Sequence, residues 1–339
     1  MAQVDIIIPL YNKEKTVART IRSIREQVFT NWRLIVVDDG STDGGAEIVR
    51  SFDDPRITLL RQENRGPGAA RNVGLRAATA DIVAFLDADD QWYPWYLENA
   101  VNAIRNNPVS LVGSYYYEWP KQEDTTRYWQ KRGVWPGVYR MGGEQSPQQI
   151  EAMVFFFHVG TTLVKRQTAL HYGGFYEERC TAGEDTIFFA RMVLNEPFRV
   201  IGPAAVRHNR QDSHLSITHN IPLNPALVDP EIIVRYCSED NKPMGRLFLA
   251  RWALLTAHHK ARNGFREHAV FLLDQFPETR RFRREYLRCK LEIQLSRWMP
   301  YWVKFKCTFG PPVRLFLKTM ASRLGLMKKP PEILNENES

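Results

Sequence analysis

The sequence predicts an α/β domain built on a mostly parallel sheet with flanking helices, joined to a basic helical segment. Three observations lead there. The first hundred residues alternate short apolar runs with stretches of helical periodicity. Polar and acidic residues cluster where the predicted strands end. The charge balance shifts near residue 240: residues 1–239 carry 26 Lys and Arg against 29 Asp and Glu, whereas residues 240–330 carry 20 against 6. With 339 residues, 44% of them hydrophobic, the chain can bury one large core and still carry an appendage. A chain disordered throughout is excluded. The expected division is a domain over residues 1–240 and a basic helical region over 241–339.

The elements follow in order. Val4–Leu10 is a β-branched apolar run, as expected of a strand covered on both faces. Val17, Ile21, Ile24 and Val28 then recur at helical spacing across residues 13–28. Residues 33–38 predict a second strand, 43–52 a second helix, 56–60 a third strand, 68–78 a third helix and 81–86 a fourth strand. Repeated βα units imply a parallel sheet, whose ligands bind beyond the carboxyl ends of the strands. From residue 115 to 146 the pattern fades into Trp, Tyr, Gly, Pro and Gln, and reads as a partly ordered surface excursion. Strand character returns over 155–164, a Gly173-Gly174 turn follows, and residues 184–194 read as a helix. Residues 212–243 look like a linker, and the chain beyond reads as helical to about Leu326.

Cys180, Cys237, Cys289 and Cys307 form no CxxC or CxxxH spacing, so free buried thiols in a reducing compartment are expected. Met1-Ala2-Gln3 runs straight into the first strand, and the longest apolar stretch, around 153–164, is interrupted by His158 and Gly160. Neither a cleavable leader nor a membrane span is expected, and the location is read as cytoplasmic.

Two acidic motifs end predicted strands. In Val36-Val37-Asp38-Asp39-Gly40-Ser41-Thr42-Asp43 an apolar strand meets two carboxylates and a glycine turn. These aspartates either cap the following helix or, at Asp39, accept a hydrogen bond from the N–H of a pyrimidine base. In Leu86-Asp87-Ala88-Asp89-Asp90, three carboxylates in four positions repel one another unless a cation sits among them. Hard divalent ions are bound by a few carboxylates together with phosphate oxygens; the alternative is a solvated acidic loop.

Taken together, Pro9-Leu10-Tyr11-Asn12, Val37-Asp38-Asp39-Gly40-Ser41-Thr42-Asp43, the run from Asn64-Arg65-Gly66 through Arg71-Asn72-Val73-Gly74, Leu86-Asp87-Ala88-Asp89-Asp90, and the later Gly174-Phe175 and Gly183-Glu184-Asp185 resemble glycosyltransferase family 2. The resemblance covers roughly residues 3–215. It implies a GT-A fold and inverting transfer of a sugar from a nucleotide-diphosphate donor, a UDP-sugar, to a saccharide or lipid-linked saccharide acceptor in cell-surface polysaccharide assembly. By the same resemblance, Pro9 and Tyr11 would line the base pocket, Asp39 would read the base edge, and Arg71 would lie near the nucleotide; the alternative for Arg71 is capping or pairing with Asp39. Asp87 would approach the ribose and the metal, and Asp89 would ligate Mn2+ or Mg2+. Asp185 would be the general base supported by Glu184, whose alternative is a favourable charge in a first helical turn. A histidine would complete the metal shell; His208 is preferred over His214, and the other histidines read as surface or core. Two rivals remain: a nucleotidyltransferase, disfavoured by the absence of a Gly-rich loop after the first strand, and a degenerate sugar-nucleotide-binding scaffold.

The C-terminal 120 residues carry none of these motifs. Val313, Phe316, Leu317, Met320 and Leu324 share one helical stripe, with Arg314, Lys318 and Arg323 off it. Upstream lie Arg280-Arg281-Phe282-Arg283-Arg284 and Trp298-Met299-Pro300-Tyr301-Trp302. A peripheral helix on an anionic membrane fits this pattern, and so does a small packed helical domain. No nucleic-acid partner is expected, because no recognised module accompanies the charge.

Overall fold

The computed structural model describes residues 3–142, 145–178, 183–210 and 222–296. Strands β1 (Val4–Leu10), β2 (Trp32–Asp38), β3 (Ile57–Arg61) and β4 (Ile82–Phe85) alternate with helices α1 (Val17–Arg25), α2 (Gly45–Arg50) and α3 (Pro67–Ala77). The strands pair in parallel in the spatial order β3-β2-β1-β4. Next come β5 (Gln91–Trp92), α4 (Tyr96–Arg105), β6 (Leu111–Trp119), β7 (Glu123–Asp124), α5 (Thr126–Gln130) and β8 (Gly137–Tyr139). They are followed by α6 (Pro147–Phe156), β9 (Thr162–Lys165), α7 (Arg166–His171), α8 (Glu184–Val193) and β10 (Phe198–Asn209). The sheet continues from β4 through β9, β6 and β10 to β5. Along the path from β3 to β10, β9 alone runs against the others. The α/β class with a mostly parallel sheet is therefore what the structure shows.

Both faces of the sheet are covered. On one, α1 and α4 bury Ile21, Ile24, Leu97 and Ile104 against Ile6, Ile8, Val36 and Leu86. On the other, Phe85 meets Phe175 and Phe188 edge-on, and those two rings stack at 4.0 Å between centroids. Complete burial contributes about 1.5–3 kcal/mol for each such side chain. One charge enters this interior. Asp5 on β1 is fully buried and accepts from Arg33 Nε at 2.8 Å and from the Ala80 N–H at 2.9 Å, tying β2 and the end of α3 to β1.

Several expectations are corrected. The first helix stops at Arg25, and Val28 is 58% exposed in the following turn. The apolar run over 155–164 is not one strand: α6 ends at Phe156, a 3-10 turn spans Val159–Thr161, and β9 begins at Thr162. A short apolar run reads equally as helix or strand. The deciding signal was the Ser146-Pro147 start with Gln149, which forms a reciprocal capping box. The supposed excursion after Tyr115 is largely ordered, with Tyr115, Trp129, Val134 and Met141 buried. Within the expected linker, α9 (Pro225–Val228) and α10 (Glu231–Val234) bury Ala226, Leu227, Ile233 and Val234.

The chain divides into compact units at Leu249/Ala250, inside α11 (Lys242–Arg262). The second unit contains α12 (Arg266–Gln275) and α13 (Arg283–Leu295), with Cys289 buried. There Glu292 accepts from His258, Arg262 and Arg288. Arg280, Arg281, Arg283 and Arg284 are exposed, while Phe282 between them packs inward. The amphipathic stripe at 313–324, the aromatics at 298–302, Cys180, Cys307 and His214 lie outside the described residues.

Helix α3 approaches β1 closely at Gly74, which carries no side chain. A Cβ on Gly74 would strike Ile7 Cγ2, and one on Gly68 would strike the Tyr176 carbonyl. Gly74→Ala should therefore destabilise the protein by about 1–3 kcal/mol through overpacking. Denaturant unfolding reads this directly, and an unchanged midpoint would mean that α3 can lift off the sheet freely.

Candidate active site

The carboxyl ends of β1, β2 and β4 and the first turns of α3 and α8 converge. Tyr11, just past β1, leaves its ring 45% exposed, and Pro9 stands beside Val37 in the sheet. Asn12 holds the Ser41-Thr42 turn: its N–H donates to Ser41 Oγ, and its Oδ1 accepts from the Thr42 N–H. Asp38 caps that turn by accepting from the Ser41 N–H. Asp39 is buried and accepts from Gln62 Nε2 (2.6 Å) and from the N–H groups of Arg65 and Gly66 (both 2.9 Å). It fixes the loop that leads into α3.

Each of the three carboxylates after β4 has its own basic partner. Arg71 Nη2 donates to Asp87 Oδ1 at 2.7 Å. Lys13 Nζ lies 2.6 Å from Asp89 Oδ2, and Arg19 donates to the Asp89 carbonyl. His208 Nδ1 lies 3.1 Å from Asp90 Oδ2, whose other oxygen accepts from the Asn209 N–H. His158 completes a cluster with Asp90 and His208 in which one ligand atom from each residue lies within 4.8 Å of the others.

Helix α8 brings the second acidic pair. Gly183 at its N-cap takes φ 86°, in the left-handed region that favours glycine. Glu184 Oε1 accepts from Arg71 Nη1 at 2.7 Å, so one guanidinium bridges Asp87 and Glu184. Asp185 accepts from its neighbour Thr186 and, among the described residues, forms no ion pair.

The environment separates these groups electrostatically. Burial opposes the Asp87 charge, but Arg71 outweighs it and holds the carboxyl below the usual range. Burial and the charges of Asp87 and Asp90 push Asp89 up to about 6 against the pull of Lys13. Burial and then Glu184 push Asp185 up to about 7. His158 is driven down to about 3 by burial and by His208, which makes it a neutral imidazole at neutral pH. Burial also opposes protonation of His208, yet Asp90 beside it prevails and raises it.

Asp87, Asp89, Arg71, Glu184, Asp185 and His208 thus gather around the end of β4. Two side chains take partners that the sequence does not name. Arg71 pairs with Asp87 and Glu184 rather than Asp39, because α3 points it toward β4 while Asp39 is occupied by the loop ahead of α3. His208 meets Asp90 rather than Asp89, because β10 delivers it beside the last carboxylate of the run. Two residues were missed. His158 was grouped with surface and core histidines, although as a polar break in an apolar run it carried a signal. Lys13 follows Asn12 directly in the first motif and was passed over.

Residues 5–171 match the family described as glycosyl transferase family 2. The UDP-Glc:alpha-D-GlcNAc-diphosphoundecaprenol beta-1,3-glucosyltransferase WfgD of Escherichia coli is 40% identical over 114 residues, 33% of this chain and 45% of that protein. The glycosyltransferase GlyA of Streptococcus pneumoniae is 38% identical over 117 residues, 34% of this chain and 17% of that protein. The matches therefore span less than half the length of these relatives. In fold, the chain is similar to S. aureus TarS in complex with UDP-GlcNAc, at TM-score 0.64 and 19% identity, covering 88% of this chain and 87% of that one. It is also similar to the mannosyltransferase PcManGT of Pyrobaculum calidifontis in complex with GDP-Man and Mn2+, at TM-score 0.51 and 20% identity, covering 96% of this chain and 81% of that one. Residues 5–171 are thus a domain of glycosyl transferase family 2, carried on a GT-A fold.

Proposed function

We propose that this chain transfers a sugar from a nucleoside diphosphate donor, a UDP-sugar, to an acceptor hydroxyl with inversion at the anomeric carbon. The observation that carries the reading is the division of labour between Glu184 and Asp185. Glu184 is committed to Arg71 in an ion pair, whereas Asp185 forms none among the described residues and is pushed up to about 7 by burial and by Glu184. A carboxylate poised near neutrality is matched to taking the acceptor hydroxyl's proton as the new bond forms. Single displacement needs no second carboxylate as nucleophile. This arrangement also argues against a degenerate scaffold, which would have no use for it.

On the donor side, the exposed Tyr11 ring beside Pro9 offers a face to the base. A carboxylate has about four acceptor positions, and the protein takes three at Asp39; one remains for the N–H edge of the base. Arg71 holds Asp87 in place toward the ribose. The donor set of Asp90, His158 and His208, with Asp89 adjacent, fits a divalent ion completed by diphosphate oxygens. Imidazole in that set suits Mn2+ better than Mg2+, which prefers oxygen ligands. When bound, the ion supplies positive charge to the departing nucleoside diphosphate.

WfgD carries a diphosphoundecaprenol acceptor in its name, and TarS was captured with UDP-GlcNAc. By analogy, we place this chain in cell-surface glycan assembly on a saccharide or lipid-linked saccharide at the cytoplasmic face of a membrane. No helix among the described residues is long and apolar enough to cross a membrane. The excess of cations over residues 240–330, with Arg280, Arg281, Arg283 and Arg284 exposed, supports peripheral contact with an anionic surface.

Three outcomes follow. Asp185→Asn should preserve donor affinity and lower kcat by about 10²–10⁴-fold, while Glu184→Gln loses less. Because the base must be deprotonated, the wild-type rate should rise with pH through about 7 and level off above it; a flat profile, or a dead Glu184→Gln beside an active Asp185→Asn, would reverse the assignment. Mn2+ with UDP, at about a hundredfold over its Kd, should stabilise the protein by about 2.7 kcal/mol. Excess chelator should abolish that gain and the turnover, and turnover that survives chelation excludes a metal role. The full chain should cosediment with vesicles containing anionic lipid, but not with neutral ones, and release as salt rises; indifference to anionic vesicles at low salt would sink the membrane reading.

A further inference from the structure

The three partners of the acidic run differ in how easily they can leave it. Arg71 is 4% exposed and spans two carboxylates, each at 2.7 Å. His208 is carried on β10 within the ring cluster it forms with His158 and Tyr116. Lys13 stands between β1 and α1 and reaches Asp89 with an ammonium on a flexible four-carbon stem, both side chains being mostly buried. Asp89 therefore already has a cation, supplied by the protein.

We propose that Lys13 is the resident counter-cation of Asp89 and competes with the divalent ion for it, so that the ion gains Asp89 only when a nucleoside diphosphate draws the ammonium away. This rests on the metal-assisted donor reading given above. An ion cannot approach the Asp89 oxygen while an ammonium lies 2.6 Å from it, since two cations sharing one carboxylate repel. A diphosphate resolves the conflict because its oxygens accept both the ammonium and the ion. The coupling is reciprocal: what Lys13 costs the ion in the empty site, the diphosphate returns as cooperativity. Lys13 is thus a positioning residue that links metal occupancy to donor occupancy. It also shields the acidic run from stray divalent ions between turnovers.

The test is Mn2+ titration of the full chain by calorimetry, with and without UDP, for wild type, Lys13→Met, Lys13→Gln and Lys13→Arg. Without UDP, Lys13→Met and Lys13→Gln should bind Mn2+ about tenfold more tightly than wild type, within the usual range of coupling between sites. Lys13→Arg keeps the charge and should stay near wild type. With UDP present the advantage of the neutral variants should vanish, and UDP should tighten Mn2+ binding in wild type far more than in them. Melting curves without metal check that each variant is folded, and the two neutral variants serve as substitutes for one another. If both bind Mn2+ in the absence of UDP no better than wild type, the role of Lys13 is overturned while the metal reading stands. If no protein binds Mn2+ even with UDP, the metal reading falls and this proposal falls with it.

Discussion

Three carboxylates within four residues at the end of β4 impose the constraint around which unit 1 is organised. Like charges about 4 Å apart near a protein surface repel by about 4 kcal/mol, and here the groups are also partly or wholly buried. The fold answers with basic side chains from three separate places: Lys13 after β1, Arg71 on α3 and His208 on β10. The strand order makes this possible. β1 pairs directly with β4, α3 leads into β4, and β10 returns beside the β5 strand that follows the acidic run. A pure sequence argument supposes an external cation for such a cluster. The folded chain carries its own.

Arg71 is the point where this neutralisation becomes an arrangement of the site. One guanidinium holds Asp87 from β4 and Glu184 from α8, and it lies 5.2 Å over the Phe175 ring. Asn72, the next residue, donates to the Phe175 carbonyl and accepts from the Phe175 N–H, clamping the approach to α8. Buried polar networks of this kind are strong when every member is satisfied and costly when one is lost. Removing Arg71 would therefore disturb both acidic segments together, and its electrostatic effect cannot be separated from its positional one by a single substitution. Its double commitment is also what distinguishes Glu184 from Asp185.

The second unit shows why net charge alone is a weak guide to partners. Within it, Glu292 collects His258, Arg262 and Arg288, and Arg251 pairs with Glu285. Phe282, which in sequence looks like an interfacial aromatic among four arginines, is buried. Part of the basic character is consumed internally, and the aromatic belongs to a packed helical core. The arginines around Phe282 remain in solvent and can contribute to an external surface.

The sequence by itself determined the first half of the fold and most of the candidate residues of the site. β-branched runs alternating with helical periodicity place β1 to β4 within a residue or two, because β1, β2 and β4 are buried on both faces and the edge strand β3 keeps the same apolar run. The strand-end clusters single out Asp39, Asp87 and Asp89 as candidates, and the family resemblance adds Asp185 in the first turn of α8. Tertiary structure decided everything that depends on which distant residues meet. The capping motif at Ser146 starts a helix, but nothing local sets where it gives way to β9 within residues 155–164, and Tyr115 and Trp129 reveal a buried role only once β6 lies between β9 and β10. The partners were likewise invisible: Arg71 lies 113 residues from Glu184, and His208 lies 118 from Asp90. Ion pairing depends on distance in space, falling off as 1/r, and sequence separation carries no information about r until the sheet has closed it.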